Sequence, residues 1–151
     1  ELAIGAIGED GNAFVSEWAA DLDPGFLEAE KRRQLEVLRQ RREKYTPLRA
    51  PIDARGRIVI VVDDGIATGS TMTAALRAVR AKKPNILVGA VAVASTEAAR
   101  AMLGECDAMV CLSIPAHFYA VGQFFDEFGQ VTDEEVIATL REAQGKAVAT
   151  G

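Results

Sequence analysis

Two adjacent carboxylates, Asp63 and Asp64, follow an apolar run, Ile58 to Val62, and precede a short loop with two glycines and three hydroxyl residues. Gly65 and Gly69 let the backbone turn tightly and approach a ligand closely. Thr68, Ser70 and Thr71 bring hydroxyl donors. The amides of 66–71 precede a helix, where free N–H groups and the helix dipole favour an anion. A phosphate suits that cradle. The aspartates repel phosphate, but they can accept hydrogen bonds from vicinal hydroxyls or hold a divalent cation through water. A sugar phosphate satisfies both halves. The plainer reading is a glycine-rich turn whose aspartates cap the helix. A Walker A loop is excluded, because the spacing differs and no lysine precedes Ser70-Thr71.

These residues need a strand on one side and a helix on the other. The unbroken β-branched run at 58–62 predicts a strand buried on both faces, as in parallel α/β sheets. Thr73 to Ala81 predicts the helix. The motif therefore lies at the carboxyl edge of a central strand, where open α/β sheets bind ligands. Strands are expected at 2–7 and 13–18, joined by a Glu-Asp-Gly-Asn turn. A helix is expected from Pro24 to about Tyr45, capped by Asp23. Residues 86–93 and 108–112 predict two further buried strands, with a short helix over 96–103 between them. A last helix over 133–143 is capped by Thr132. Strands alternating with helices imply a parallel sheet with right-handed crossovers.

The run Val61-Val62-Asp63-Asp64-Gly65-Ile66-Ala67-Thr68-Gly69-Ser70-Thr71 resembles the phosphoribosyl-pyrophosphate-binding motif of type I phosphoribosyltransferases. Leu2 to Gly8 and the aromatic stretch Pro115 to Gln130 resemble a little-characterised bacterial branch of that family. The resemblance implies an α/β fold of that type, with a parallel sheet, flanking helices, a hairpin-like flap and a C-terminal aromatic hood. It implies one domain over 1–151, divided into a flap (19–56), a core (57–113) and a hood (114–130). Asp63 and Asp64 would hold the ribose hydroxyls, and Mg²⁺ through water. Ala67, Thr68, Gly69, Ser70 and Thr71 would form the cradle for the 5′-phosphate, with Gly65 and Ile66 beside it as further substrate-binding residues. Family members begin with a helix, a core strand and a pyrophosphate loop that are not found ahead of Glu1. An N-terminally incomplete domain, inactive alone, is therefore expected.

Residues 28–49 carry eight basic and four acidic side chains, net +4 against −5 for the whole chain. One reading is a solvated helix held by pairs such as Glu28–Arg32 and Arg39–Glu43. The other, implied by the resemblance, is a mobile flap whose cations steady departing pyrophosphate. Lys44, Tyr45 and Arg49 are best placed for that. The aromatics of 114–128 either cover the sheet edge as core or form a hood that stacks on a base. Phe118 and Tyr119 are the candidates, at about 1–3 kcal/mol of stacking per base. Ala67 stands where family enzymes for 6-oxopurines usually carry aspartate, so such a base is disfavoured.

Composition sets the outer bounds. A chain of 151 residues with 49% hydrophobic content suits one domain. No apolar run is long enough to span a membrane. Cys106 and Cys111 have neither a CxxC nor a zinc spacing, and reduced thiols in a cytoplasmic protein are expected. His117 is the sole histidine, so a His-rich metal site is excluded. The net charge of −5 argues against nucleic-acid binding. The expected activity is transfer of ribose 5-phosphate from phosphoribosyl pyrophosphate to a nitrogenous base. The alternatives are a non-catalytic domain that senses phosphoribosyl pyrophosphate or a nucleotide, and a hydrolase of phosphoribosyl compounds. An open apolar sheet would promote self-association, and a homodimer is expected.

Overall fold

The computed structural model describes residues 5–8, 11, 13–15, 19, 21–48 and 50–149. Two short strands, β1 (Gly5–Ile7) and β2 (Ala13–Val15), pair antiparallel with Gly5 opposite Val15. Gly11 takes φ +80°, and its N–H donates to the Gly8 carbonyl at 3.0 Å, tightening the turn. The rest of the expected 2–7 and 13–18 strands lies outside the described residues.

Helix α1 (Pro24–Tyr45) begins where Asp23 predicts. The Asp23 carboxylate accepts from the Phe26 N–H at 2.8 Å, and proline occupies the first helical position. The helix has no fully buried residue. Its surface is laced with pairs one turn apart: Lys31–Glu28, Arg33–Glu30 and Arg39–Glu36. The expected Glu28–Arg32 pair is replaced: Glu28 takes Lys31 at 2.6 Å, while Arg32 Nε donates to the Glu28 carbonyl. Arg39–Glu43 survives only at 4.0 Å.

The core sheet follows. Strand β3 (Ile58–Ile66) leads into α2 (Ser70–Ala81), β4 (Ile86–Ala94), α3 (Thr96–Met102) and β5 (Ala108–Ser113). The three strands are parallel in the order β3-β4-β5. Two successive right-handed crossovers in one direction put both helices on one face. That face holds the core: Met72 and Leu76 from α2, Leu87 and Val91 from β4, Ala98 and Met102 from α3. Each of the fully buried Met and Leu side chains among them contributes about 1.5–3 kcal/mol. Arg80 forks onto Asp107, whose carboxylate also accepts the Leu87 N–H, tying α2 to both neighbouring strands.

The expectation of strands buried on both faces is corrected. On the face opposite the helices, Ile60, Val62, Val110 and Leu112 are 59%, 72%, 50% and 81% exposed. Both crossovers cover the other side, so an apolar run does not by itself decide which faces are covered. Strand β3 also continues four residues beyond Val62, through both aspartates. Its ladder to β4 runs on to Ile66 opposite Ala94. Helix α2 begins at Ser70, three residues earlier than its periodicity predicts.

Beyond β5, a 3-10 turn (Val121–Phe124) sits against β3 and β4. Helix α4 (Asp133–Ala149) starts with a capping box: Glu135 N–H donates to Thr132 Oγ1, and Thr132 N–H to Glu135 Oε2.

Candidate functional site

Alternation along β3 turns Asp63 and Asp64 to opposite sides of the sheet. Asp63 pairs in register with Val91 on the helix-covered side and is partly buried, whereas Asp64 is exposed. Burial raises the Asp63 carboxyl above the usual carboxylate range, and the Asp64 charge adds to this against the hydrogen bond from the Asp64 N–H. Asp63 Oδ1 accepts that N–H at 3.0 Å, and Asp64 Oδ1 accepts the Gly65 N–H at 2.6 Å. Each carboxylate keeps a second oxygen for a ligand.

Ile66 is 3% exposed and belongs to the core, so its side chain cannot line a ligand surface. Gly69 takes φ +80° and is the N-cap of α2, and its carbonyl accepts the Thr73 N–H at 2.8 Å to close the first turn. Ser70 is buried, and its Oγ lies 3.2 Å from Thr68 Oγ1. Thr68 Oγ1 also receives the Ser70 N–H at 3.4 Å. Ala67, Thr68 and Thr71 are exposed. The loop thus offers helix-start amides and two accessible hydroxyls, with glycine supplying the turn that a side chain would strain.

Gly65 is required by packing as well, and Gly69 sits close against α3. A Cβ at Gly65 would lie 2.7 Å from Val121 Cγ1 and 2.8 Å from Val93 Cγ1. A Cβ at Gly69 would lie 3.0 Å from Met102 Cε. The loop therefore has α3 beneath it and the 3-10 turn beside it. Sequence reasoning missed Val121, Met102 and Ser95. Ser95 Oγ donates to the Ala67 carbonyl at 2.7 Å. The signal for it was its place, directly after β4 and beside the motif strand.

The remaining candidates are dispersed. Lys44 Nζ donates to Asp133 Oδ2 and Tyr45 Oη to Asp133 Oδ1, both at 2.6 Å. That pairing raises the Lys44 ammonium and lowers the Asp133 carboxyl from their ordinary values. The candidate leaving-group cation is thus engaged with α4. Arg49 lies outside the described residues. Phe118 packs against Phe124 with ring centroids 5.6 Å apart, while Tyr119 is 84% exposed. A cavity of about 410 Å³ opens between the hairpin and α1 and reaches Thr71; Leu27, Gln34 and Leu38 are among its walls.

Among the described residues no group of three or more His, Cys, Asp or Glu side chains could hold a metal ion. Two adjacent carboxylates without a cage suit Mg²⁺, which keeps its waters and binds through one or two carboxylates plus substrate phosphates. No helix among the described residues is long and apolar enough to cross a membrane.

A family model described as "Phosphoribosyl transferase domain" matches residues 4–127. The chain is 41% identical over 146 residues to "Putative phosphoribosyl transferase Rv0571c" of Mycobacterium tuberculosis (strain ATCC 25618 / H37Rv), covering 95% of this chain and 33% of the relative. The same figures hold for "Putative phosphoribosyl transferase MT0597" of strain CDC 1551 / Oshkosh. The chain thus spans about a third of the length of these curated relatives. The crystal structure of TT1426 from Thermus thermophilus is similar at a TM-score of 0.74 and 43% identity, over 93% of this chain and 68% of that one. With its parallel sheet, its strand–loop–helix motif and a family match over most of its length, the chain belongs to the phosphoribosyl transferase domain family.

Proposed function

We propose that this chain binds phosphoribosyl pyrophosphate and forms the part of a phosphoribosyltransferase that transfers ribose 5-phosphate to a nitrogenous base. The observation that carries this reading is the juxtaposition along β3 and its loop. Asp63 and Asp64 lie near the carboxyl end of β3, which closes at Ile66, and the left-handed Gly69 opens the α2 N-terminus three residues after Ile66. The loop amides with Thr68 and Thr71 hold the 5′-phosphate. Asp64, and Asp63 where the buried strand end allows, accept from the ribose hydroxyls. Asp63 and Asp64 would hold Mg²⁺ through water, and the ion would supply positive charge to the departing pyrophosphate. The base nitrogen attacks C1′, the bond from C1′ to the pyrophosphate oxygen breaks, and pyrophosphate leaves. The base loses the proton of the attacking nitrogen. Tyr119 is exposed and free to stack on that base, while its neighbour Phe118 is packed against Phe124.

Ala67 places no carboxylate beside the base, which favours adenine- or uracil-like acceptors over 6-oxopurines. The second reading is a domain that senses phosphoribosyl pyrophosphate or a nucleotide. It is favoured by the engagement of Lys44 with Asp133, which leaves that cation holding a helix end. Pyrophosphate release with Mg²⁺ and adenine, uracil, hypoxanthine or orotate separates the two. Turnover with one base supports transfer, whereas saturable binding without turnover supports sensing.

A further inference from the structure

We propose that Ser95 is a positioning residue for the anion cradle, turning the 67–68 peptide so that the Thr68 N–H faces the bound phosphate. This rests on the reading of 67–71 as a phosphate site and adds a residue outside the motif to it. Ser95 stands between β4 and α3, is 8% exposed, and makes three hydrogen bonds besides the one its carbonyl accepts from the Ala99 N–H in the first turn of α3. Its N–H donates to the Ile66 carbonyl at 3.0 Å. Its hydroxyl accepts from the Ala98 N–H at 3.1 Å and donates to the Ala67 carbonyl at 2.7 Å.

A hydroxyl has one proton and two lone pairs. With the helix-cap N–H directed at a lone pair, the proton goes to Ala67. Two consecutive carbonyls, those of Ile66 and Ala67, are therefore drawn towards α3. In a planar trans peptide the N–H points opposite to the preceding C=O. The bond from Ser95 to the Ala67 carbonyl thus sends the Thr68 N–H away from α3. The same helix seats the next residue, since a Cβ at Gly69 would lie 3.7 Å from Ala98 Cβ and 3.0 Å from Met102 Cε. Helix α3 is the floor of the cradle, and Ser95 sets its orientation. A residue that only capped α3 would need no bond to the loop.

The test is a titration of inorganic phosphate and of ribose 5-phosphate into the wild-type chain and four variants, read by calorimetry and by the Thr68 amide resonance. Ser95→Ala is expected to weaken both ligands roughly five- to tenfold, the size of one lost hydrogen bond. Ser95→Cys, a weaker donor that keeps the shape, gives a smaller loss in the same direction and serves if the alanine variant does not fold. Ser95→Thr keeps both donor and acceptor and holds affinity within about twofold. Thr132→Ala removes the cap of α4 and matches the stability loss without touching the loop, so its affinity stays at the wild-type value. Unchanged affinity in Ser95→Ala or Ser95→Cys, with phosphate binding intact in the wild type, overturns the role of Ser95 alone. An equal loss in Thr132→Ala does so too, because the effect would then follow stability. Failure of the wild type to bind either ligand overturns the phosphate reading and this inference together.

Discussion

Val121 lies directly over Gly65: a single added Cβ there would sit 2.7 Å from Val121 Cγ1. Gly65 follows Asp64 on β3, so the 3-10 turn after β5 rests on the strand end that carries the acids. Gly65→Ala should therefore cost about 1–3 kcal/mol of stability, as overpacking does. The Val93 carbonyl, 3.0 Å from the new atom, cannot rotate aside. Urea unfolding measures the loss. Val121→Ala in the same chain should recover part of it, whereas no recovery would mean that β4 alone resists the new methyl.

Asp63 trades stability for its position. Burial raises its carboxyl in the folded state. An acid with a raised folded pKa binds its proton more tightly when folded, so its ionised form destabilises the fold above that raised value. The penalty fades as pH falls towards the ordinary value of 3.8. Asp63→Asn should therefore be more stable than wild type at pH 7. The gap between their urea midpoints should close as pH drops below the raised pKa. A constant gap would assign the effect to packing.

Asp133 has the opposite sign. Lys44 and Tyr45 hold its carboxyl below 3.8, so its contribution is present above that value and is lost as pH falls through the folded pKa. Asp133→Asn should speed amide exchange in the last turns of α1 at neutral pH and leave that of β4 unchanged. Unchanged exchange at the α1 end in Asp133→Asn would show that it is held by something else.

The bare sheet face has its own consequence. Val62 and Leu112 are among the most exposed large apolar side chains described. Parallel sheets normally have both faces covered, and we expect concentration-dependent association through this one. Val62→Lys with Leu112→Lys should shift sedimentation velocity profiles towards monomer. Unchanged profiles would place the contact elsewhere.

The order of elements was legible because each core strand is a short apolar run bounded by turn residues, and because Asp23 and Thr132 announce helix starts. The motif was legible because acids, glycines and hydroxyls alternate where a strand meets a helix. The continuation of β3 through Asp63, Asp64 and Gly65 was hidden, since these residue types are depleted in strands and only the ladder to β4 holds them there. The open face was hidden because Ile60 and Val62 look the same whether or not a helix covers them. Ser95 was hidden because a serine ahead of a helix reads as a cap, and its second bond needs the fold to bring Ala67 alongside. On α1, choice between partners three and four residues away is made by side-chain reach, which spacing alone leaves open.

The central claim is that one site joins a phosphate cradle to ribose-binding acids. Binding of phosphoribosyl pyrophosphate and of inorganic phosphate to wild type and Asp64→Asn tests it most directly. Asp64 is exposed, so the fold should survive the change. The account predicts roughly tenfold weaker phosphoribosyl pyrophosphate, because hydrogen bonds from the ribose hydroxyls to a charged acceptor are lost. It predicts that inorganic phosphate binds as well or slightly tighter, because a repelling charge is gone. Equal weakening of both ligands, or of neither, would contradict it.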